Sequence, residues 1–116
     1  MAATNTAYTP AEYNTGILRG DTFSEAFSFQ AGGQVLDLTG AGARIQIRSR
    51  AGAVLGQYEI GAGLAVASGT LTWTIAGAET AGFKAGQYQY DIEITIGGTV
   101  RTYLAGSFTV QKDITQ

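Results

Sequence analysis

The stretch Gly86–Val110, GQYQYDIEITIGGTVRTYLAGSFTV, decides the fold class. Tyr88, Tyr90, Ile92, Ile94 and Ile96 fall on one side of an extended chain, and Gln87, Gln89, Asp91, Glu93 and Thr95 fall on the other. Alternation of this kind is the mark of a strand with one buried face, because successive Cβ atoms point to opposite sides of a sheet. Gly97-Gly98 then suits a two-residue hairpin turn, whose backbone needs positive φ. Beyond it, Thr99–Val110 forms the returning strand, with Val100, Thr102, Leu104, Phe108 and Val110 expected on the inner face. Gly106 falls on that same face and is predicted to mark a bulge.

Working outward, the same period of two recurs at short intervals. Thr22–Gln30 places Phe23, Phe27 and Phe29 together, with Glu25 on their side as an inward carboxylate, unless a bulge turns it out. Ala43–Arg48 and Val54–Ile60 read as a hairpin across Ser49–Ala53. Leu64–Ala67 and Thr70–Ile75 are joined at Ser68-Gly69, and the latter alternates Leu71, Trp73 and Ile75 with threonines. Gly77–Phe83 is the one segment suited to a short helical turn. About seven short strands with frequent turn signals predict an all-β chain, folded as an antiparallel sandwich.

Composition sets what this sheet can do. The 116 residues include 17 Gly and 18 Ala but only 26 Val, Ile, Leu and Phe, enough for one core. The glycines cluster where strands end, so they read as corners. There is no Cys and no His, which removes disulfides, thiolate or imidazole metal ligands, and Ser-His or Cys nucleophile chemistry. Seven basic against nine acidic side chains, with no run of four like charges, give no footprint for nucleic acid. Met1–Leu18 lacks the basic and apolar regions of a signal peptide, and no run of about 18 apolar residues suggests a membrane span.

Candidate chemistry is sparse. Asp91 and Glu93 share a strand face at a spacing compatible with an acid–base pair, although Arg44 or Arg48 across the sheet would simply neutralise them. Arg19-Gly20-Asp21 spells an integrin-binding tripeptide but equally suits a turn into the first strand. The glycine pairs lie between strands and open no helix, so they are not phosphate loops. Trp73 is expected in the core with its indole N–H bonded to backbone. The sequence predicts no catalytic, cofactor-binding or metal-binding residue.

Four segments, Leu18-Arg19-Gly20-Asp21-Thr22-Phe23, Asp37-Leu38-Thr39-Gly40, Ala43-Arg44-Ile45-Gln46-Ile47-Arg48 and Gly86-Gln87-Tyr88-Gln89-Tyr90-Asp91-Ile92, together resemble the small immunoglobulin-like domains of tailed-bacteriophage virions. The likeness is to the N-terminal domain of baseplate upper proteins and to head and tail relatives, and it runs from about Ile17 to Thr115. It implies an immunoglobulin-like sandwich in which Asp37–Gly40 is a turn and Tyr88 pins a corner by returning its hydroxyl to upstream backbone. Tyr90 then takes the core position that a disulfide Cys holds in antibody domains. The resemblance further implies a non-enzymatic virion component, made in the host cytoplasm and assembled with capsid, tail or baseplate subunits and with copies of itself. Contact with a host surface is left open, and neither nucleic acid nor membrane is expected as a partner. Because the sequence stops at Gln116 without the coiled coil of baseplate proteins, capsid decoration or a head-fibre base is an alternative. An alternative of another class is a secreted adhesin or carbohydrate-binding module using Trp73, Tyr58 or Tyr103.

The beginning of the chain is set apart. Residues 1–16 contain the only Pro and no aliphatic side chain larger than Ala, so they are predicted to form an extended arm, with the sandwich domain spanning 17–116. Tyr8, Pro10 and Tyr13 are the expected contacts of that arm with a neighbouring subunit. On this reading, deleting residues 1–16 should leave the fold intact.

Overall fold

The computed structural model describes residues 11–31, 34–67 and 69–112; Tyr8, Pro10, the Gly32-Gly33 turn and Ser68 lie outside these. The elements are β1 (Ala11–Glu12), β2 (Thr15–Leu18), β3 (Phe23–Phe27), β4 (Gln30–Ala31), β5 (Gln34–Val35), β6 (Gly42–Arg48), β7 (Val54–Ile60), β8 (Gly63–Ala67), β9 (Thr70–Ile75), α1 (Gly77–Thr80), β10 (Gly86–Ile96) and β11 (Thr99–Gln111). Among the described residues the protein is all-β apart from a single turn of helix.

Nine strands form one continuous sheet in the order β1-β11-β10-β6-β7-β8-β9-β3, with β2 also on β11, while β4 and β5 pair separately. The sheet is open, and it curls. β7 and β8 meet in only two residue pairs, Glu59 with Gly63 and Ile60 with Leu64. There the chain turns a tight corner, with Ala62 N–H donating to Glu59 O at 2.8 Å and Gly61 N–H to Leu64 O at 2.9 Å. Past that corner, β8, β9 and β3 fold back over β6, β10 and β11.

The alternating residues close the space between these two halves. Ile45, Ile47, Tyr90, Ile92, Ile94, Phe108 and Val110 from one half meet Phe23, Leu64, Leu71, Trp73 and Ile75 from the other, all buried. Trp73 is the centre of the core. At 0% exposure it lies 4.7 Å, ring centre to ring centre, from Phe23, 5.6 Å from Tyr58, 5.5 Å from Tyr90 and 5.7 Å from Phe108. Aromatic pairs at these separations add to the gain from area burial.

Three expectations change. The irregularity in the last hairpin falls at Tyr103, not Gly106: Ile92 faces Leu104 and Glu93 faces Thr102, so Tyr103 is the extra residue. One inserted residue reverses the parity of everything beyond it. Val100 and Thr102 therefore lie on the outer face, opposite Thr95 and Glu93, and Val100 is 59% exposed. Of the two readings open at Glu25, the inward one holds, because β3 pairs with β9 in unbroken register, with Glu25 opposite Trp73. Being on the last strand of the curl, its carboxylate reaches the opposite edge of the sheet.

The third change concerns the arm. Its end, from Ala11, is already part of the sheet: β1 pairs in parallel with Leu104–Ala105 and β2 with Phe108–Gln111. The strap formed by residues 11–18 crosses from one to the other at Tyr13-Asn14. Polar composition suggested no core of its own, and it has none; it borrows the edge of β11.

Candidate assembly interface

The strap closes the curl. Tyr13 Oη donates to Glu25 Oε1 and Thr15 Oγ1 donates to Glu25 Oε2, each at 3.0 Å, so both carboxylate oxygens of the inward acid are used. The Tyr13 ring also meets Phe27 edge-on at 5.9 Å. These contacts join the two free edges of the sheet, which backbone pairing leaves apart. Glu25 raises the pKa of the Tyr13 phenol, first by accepting its hydrogen bond and then by its charge.

On β11 the strap occupies a fitted slot. A Cβ at Gly106 would overlap the Tyr13 carbonyl oxygen, and one at Gly16 would overlap the Thr109 carbonyl oxygen, so the chains approach to glycine distance at both points. The Tyr13 carbonyl accepts from Tyr90 Oη at 2.6 Å, and Tyr13 N–H donates to Ala105 O at 3.0 Å. Asn14 Oδ1 accepts from Ser107 N–H at 2.9 Å. Close backbone approach, rather than a bulge, is therefore the reason for Gly106.

The strap ends in the turn Arg19-Gly20-Asp21, which is pinned to the short helix while Gly20 and Asp21 stay exposed. Gly20 N–H donates to Thr80 Oγ1 at 3.0 Å, and the Thr80 hydroxyl hydrogen reaches Asp21 O at 2.7 Å, with Gly77 O at 3.1 Å. Arg19 Nη2 donates to Ala81 O at 2.9 Å. Thr80 is fully buried, and its position in the short helix was not singled out by sequence because one Thr among fifteen carries no signal. Thr80→Val keeps the shape and strands two partners, so we expect a loss of about 1–3 kcal/mol in chemical unfolding, while Thr80→Ser stays close to the parent protein. Equal losses for the two variants would contradict this role.

The remaining singled-out side chains are architectural. Tyr88 Oη donates to Lys84 O at 2.6 Å, across the corner that leads into β10. Tyr90 is buried and holds the strap. Trp73 lies in the core, but its Nε1 has no hydrogen-bond partner among the described residues, contrary to the expected backbone bond. Tyr58 is buried with its hydroxyl on Glu79 Oε2 at 2.9 Å, and Tyr103 is half-buried with its ring 5.7 Å from Phe29. Trp73, Tyr58 and Tyr103 thus form no exposed aromatic platform. Asp37 Oδ1 accepts from Thr39 N–H at 3.0 Å, closing the turn expected at Asp37–Gly40, and that bond holds its carboxyl below the ordinary value.

Burial holds the phenols of Tyr58 and Tyr90 well above their ordinary value of 10.0. The hydrogen bond and charge of Glu79 add to the effect at Tyr58, and the charges of Tyr13 and Glu25 add to it at Tyr90. A raised phenol stays protonated in the fold while the unfolded chain ionises near 10.0, so its contribution is present below that pH and is lost as pH rises above it. We expect the unfolding free energy to decline above pH 10 and the Tyr58→Phe/Tyr90→Phe variant to decline less. Parallel curves in urea titrations across that range would contradict the assignment.

On the outer face of β7, β6 and β10 the charges are matched in pairs. Arg44 bridges Glu93 at 3.1 Å and Arg48 bridges Asp91 at 3.2 Å. Glutamines fill the rows between: Gln46 donates to Gln57 at 2.6 Å, Gln57 to Glu59 at 3.2 Å, and Arg48 to Gln46 at 3.0 Å. Asp91 has its pKa raised by partial burial, with the Arg48 charge opposing. Each carboxylate of the candidate acid–base pair is thus held by its own guanidinium. Among the described residues no group of three or more acidic side chains converges as a metal site. No helix there is long and apolar enough to cross a membrane. Compared with known proteins, the chain matches no family model and no curated sequence.

Proposed function

We propose that this chain is a non-enzymatic structural protein of a tailed-bacteriophage virion, built as an immunoglobulin-like β-sandwich. It assembles through its N-terminal strap and sheet edges, with capsid, tail or baseplate subunits and with copies of itself, into a symmetric head-surface or tail assembly. The observation that carries this reading is the strap. It is a short segment with no core of its own, seated in parallel on β11, and it bears two exposed apolar side chains, Tyr13 at 41% and Leu18 at 39%. Exposed apolar groups on an edge element are what a subunit contact would cover.

The immunoglobulin-like reading is supported by the strand order. Taken on either side of the β7–β8 corner, β2-β11-β10-β6-β7 lies against β8-β9-β3, and the long connection from β9 to β10 passes through α1 and the Tyr88–Lys84 bond. An edge strand parallel to the last strand, and a tyrosine hydroxyl bonded back at that corner, suit this architecture. The four sequence segments of the resemblance fall on the strap turn, the Asp37 turn, β6 and β10. Their roles are structural, as such a scaffold requires.

Mass spectrometry of purified virions tests the proposal. Peptides of this chain at a stoichiometry of many copies per particle are expected. Their absence from intact particles, with the protein present in the infected-cell extract, would overturn it.

A further inference from the structure

We infer that the strap is exchangeable between copies: the slot on β11 receives residues 11–18 of a second copy of this chain, reciprocally, as well as its own. The inference gives the proposed assembly its partner, but the slot itself is read from geometry that does not depend on the virion reading.

The strap is weakly held and specifically fitted at once. It contributes two ladders, of two and four residues, and Ala11, Glu12, Tyr13, Asn14, Gly16 and Leu18 are all exposed. Few buried contacts mean that it opens at low cost compared with the core strands. Its fit is nevertheless particular to this sequence. The Gly106 hollow and Tyr90 Oη take a backbone carbonyl, which any residue offers, but Ser107 N–H is met by the Asn14 side chain and the Glu25 carboxylate by the hydroxyls of both Tyr13 and Thr15. A segment of different sequence would leave some of these groups unsatisfied, and a second copy leaves none.

Opening alone would strip Glu25 of both its donors and uncover Phe27 beside the seam. Exchange restores every one of those contacts in the partner, so the two closed forms differ chiefly at the junction of Leu18 with Arg19 and in the entropy of association. The hinge is defined by what is pinned. Gly20 and Asp21 are fastened to Thr80, and Arg19 to Ala81, so the movable segment ends at Leu18. No residue lies between the seated strap and the pinned turn, because Leu18 pairs with Gln111 and Arg19 N–H donates to Gln111 O, so the second copy has to pack directly against this hinge. Leu18, at that hinge, is exposed on the closed single copy, as is Tyr13 further along the strap.

The chain has no native cysteine, which makes the test clean. Glu12 and Ala105 are register partners on β1 and β11, within the range that a disulfide spans. Full-length Glu12→Cys and Ala105→Cys proteins are unfolded together, refolded at high concentration and oxidised. The expected result is a mixed disulfide dimer several-fold above that of a control mixture of Glu12→Cys with Arg50→Cys. The excess should disappear when Gly106→Val is added to the Ala105→Cys chain, because its side chain fills the slot. The double variant Glu12→Cys/Ala105→Cys, refolded at high dilution, should close within one chain. No excess over control would overturn the inference, and so would failure of the double variant to close, since the strap would then not lie in that slot. Either failure leaves the virion proposal standing, because peptides in purified particles are measured independently of the exchange.

Discussion

Trp73→Ala should cost this protein about 3–5 kcal/mol, lowering its melting temperature by roughly 10–20 °C or abolishing cooperative unfolding altogether. The side chain is fully buried, and four aromatic rings from β3, β7, β10 and β11 surround it. Those strands come from both halves of the curled sheet, so removing the indole opens a cavity where the halves meet. The rings around it cannot all move inward, because each is fixed by its own strand. Trp73→Phe should cost much less. It keeps most of the apolar volume and removes an indole N–H that has no partner among the described residues. Thermal unfolding of the two variants decides the matter: a change within about 0.5 kcal/mol for Trp73→Ala is what an exposed binding aromatic would give, and it would contradict the core assignment.

The second large effect is expected from the N-terminus. Deleting residues 1–16 removes Tyr13, Asn14 and Thr15, and with them the four side-chain hydrogen bonds described above, the Tyr13 N–H bond to Ala105 O, the β1 pairing and the Tyr13–Phe27 contact. At about 0.5–1.5 kcal/mol for each of the four side-chain hydrogen bonds, the truncated protein should lose roughly 2–6 kcal/mol. The loss reverses the expectation drawn from composition, in which this segment was an arm independent of the fold. Deleting residues 1–10 alone retains every one of those contacts and serves as the reference. Differential scanning calorimetry of the two truncations should show a large drop only for the longer one. If both melted like the full chain, the strap would be no part of the folded unit.

What was legible in the sequence follows from where each signal arises. Thr70–Ile75 occurs where alternation placed it, because a half-buried strand writes its period directly into hydrophobicity, and Val54–Ile60 occurs where the Ser49–Ala53 hairpin placed it, although Val54 and Ile60 are exposed. Gly86–Ile96 and Thr99–Gln111 differ from expectation by a residue at one end. The ion pairs of Arg44 with Glu93 and of Arg48 with Asp91 were also within reach, since a cross-strand partner was all those carboxylates needed. Tyr103 was not. A bulge adds a residue without changing composition, so the parity of Val100 and Thr102 could only be learned from the pairing of β10 with β11.

The strap was hidden for a different reason. Its order comes from backbone pairing with β11 and from contacts to Glu25, Tyr90 and Ser107, all distant in sequence, and no alternation within it marks a strand. Two clues were present. Glu25, inward on an otherwise aromatic face, had to meet donors from somewhere, and Gly106 on the inner face of β11 had to admit something close. Thr80 offered no such clue, since its value lies entirely in its position beneath the Arg19–Asp21 turn.

Cryo-electron microscopy of the parent particle tests the central claim most directly, because it reads location, symmetry and the path of residues 11–18 together. The account predicts this domain in repeated, symmetry-related copies on the particle, with the strap and its exposed Tyr13 and Leu18 at the contact between subunits. A particle whose density is fully accounted for by other chains would contradict it.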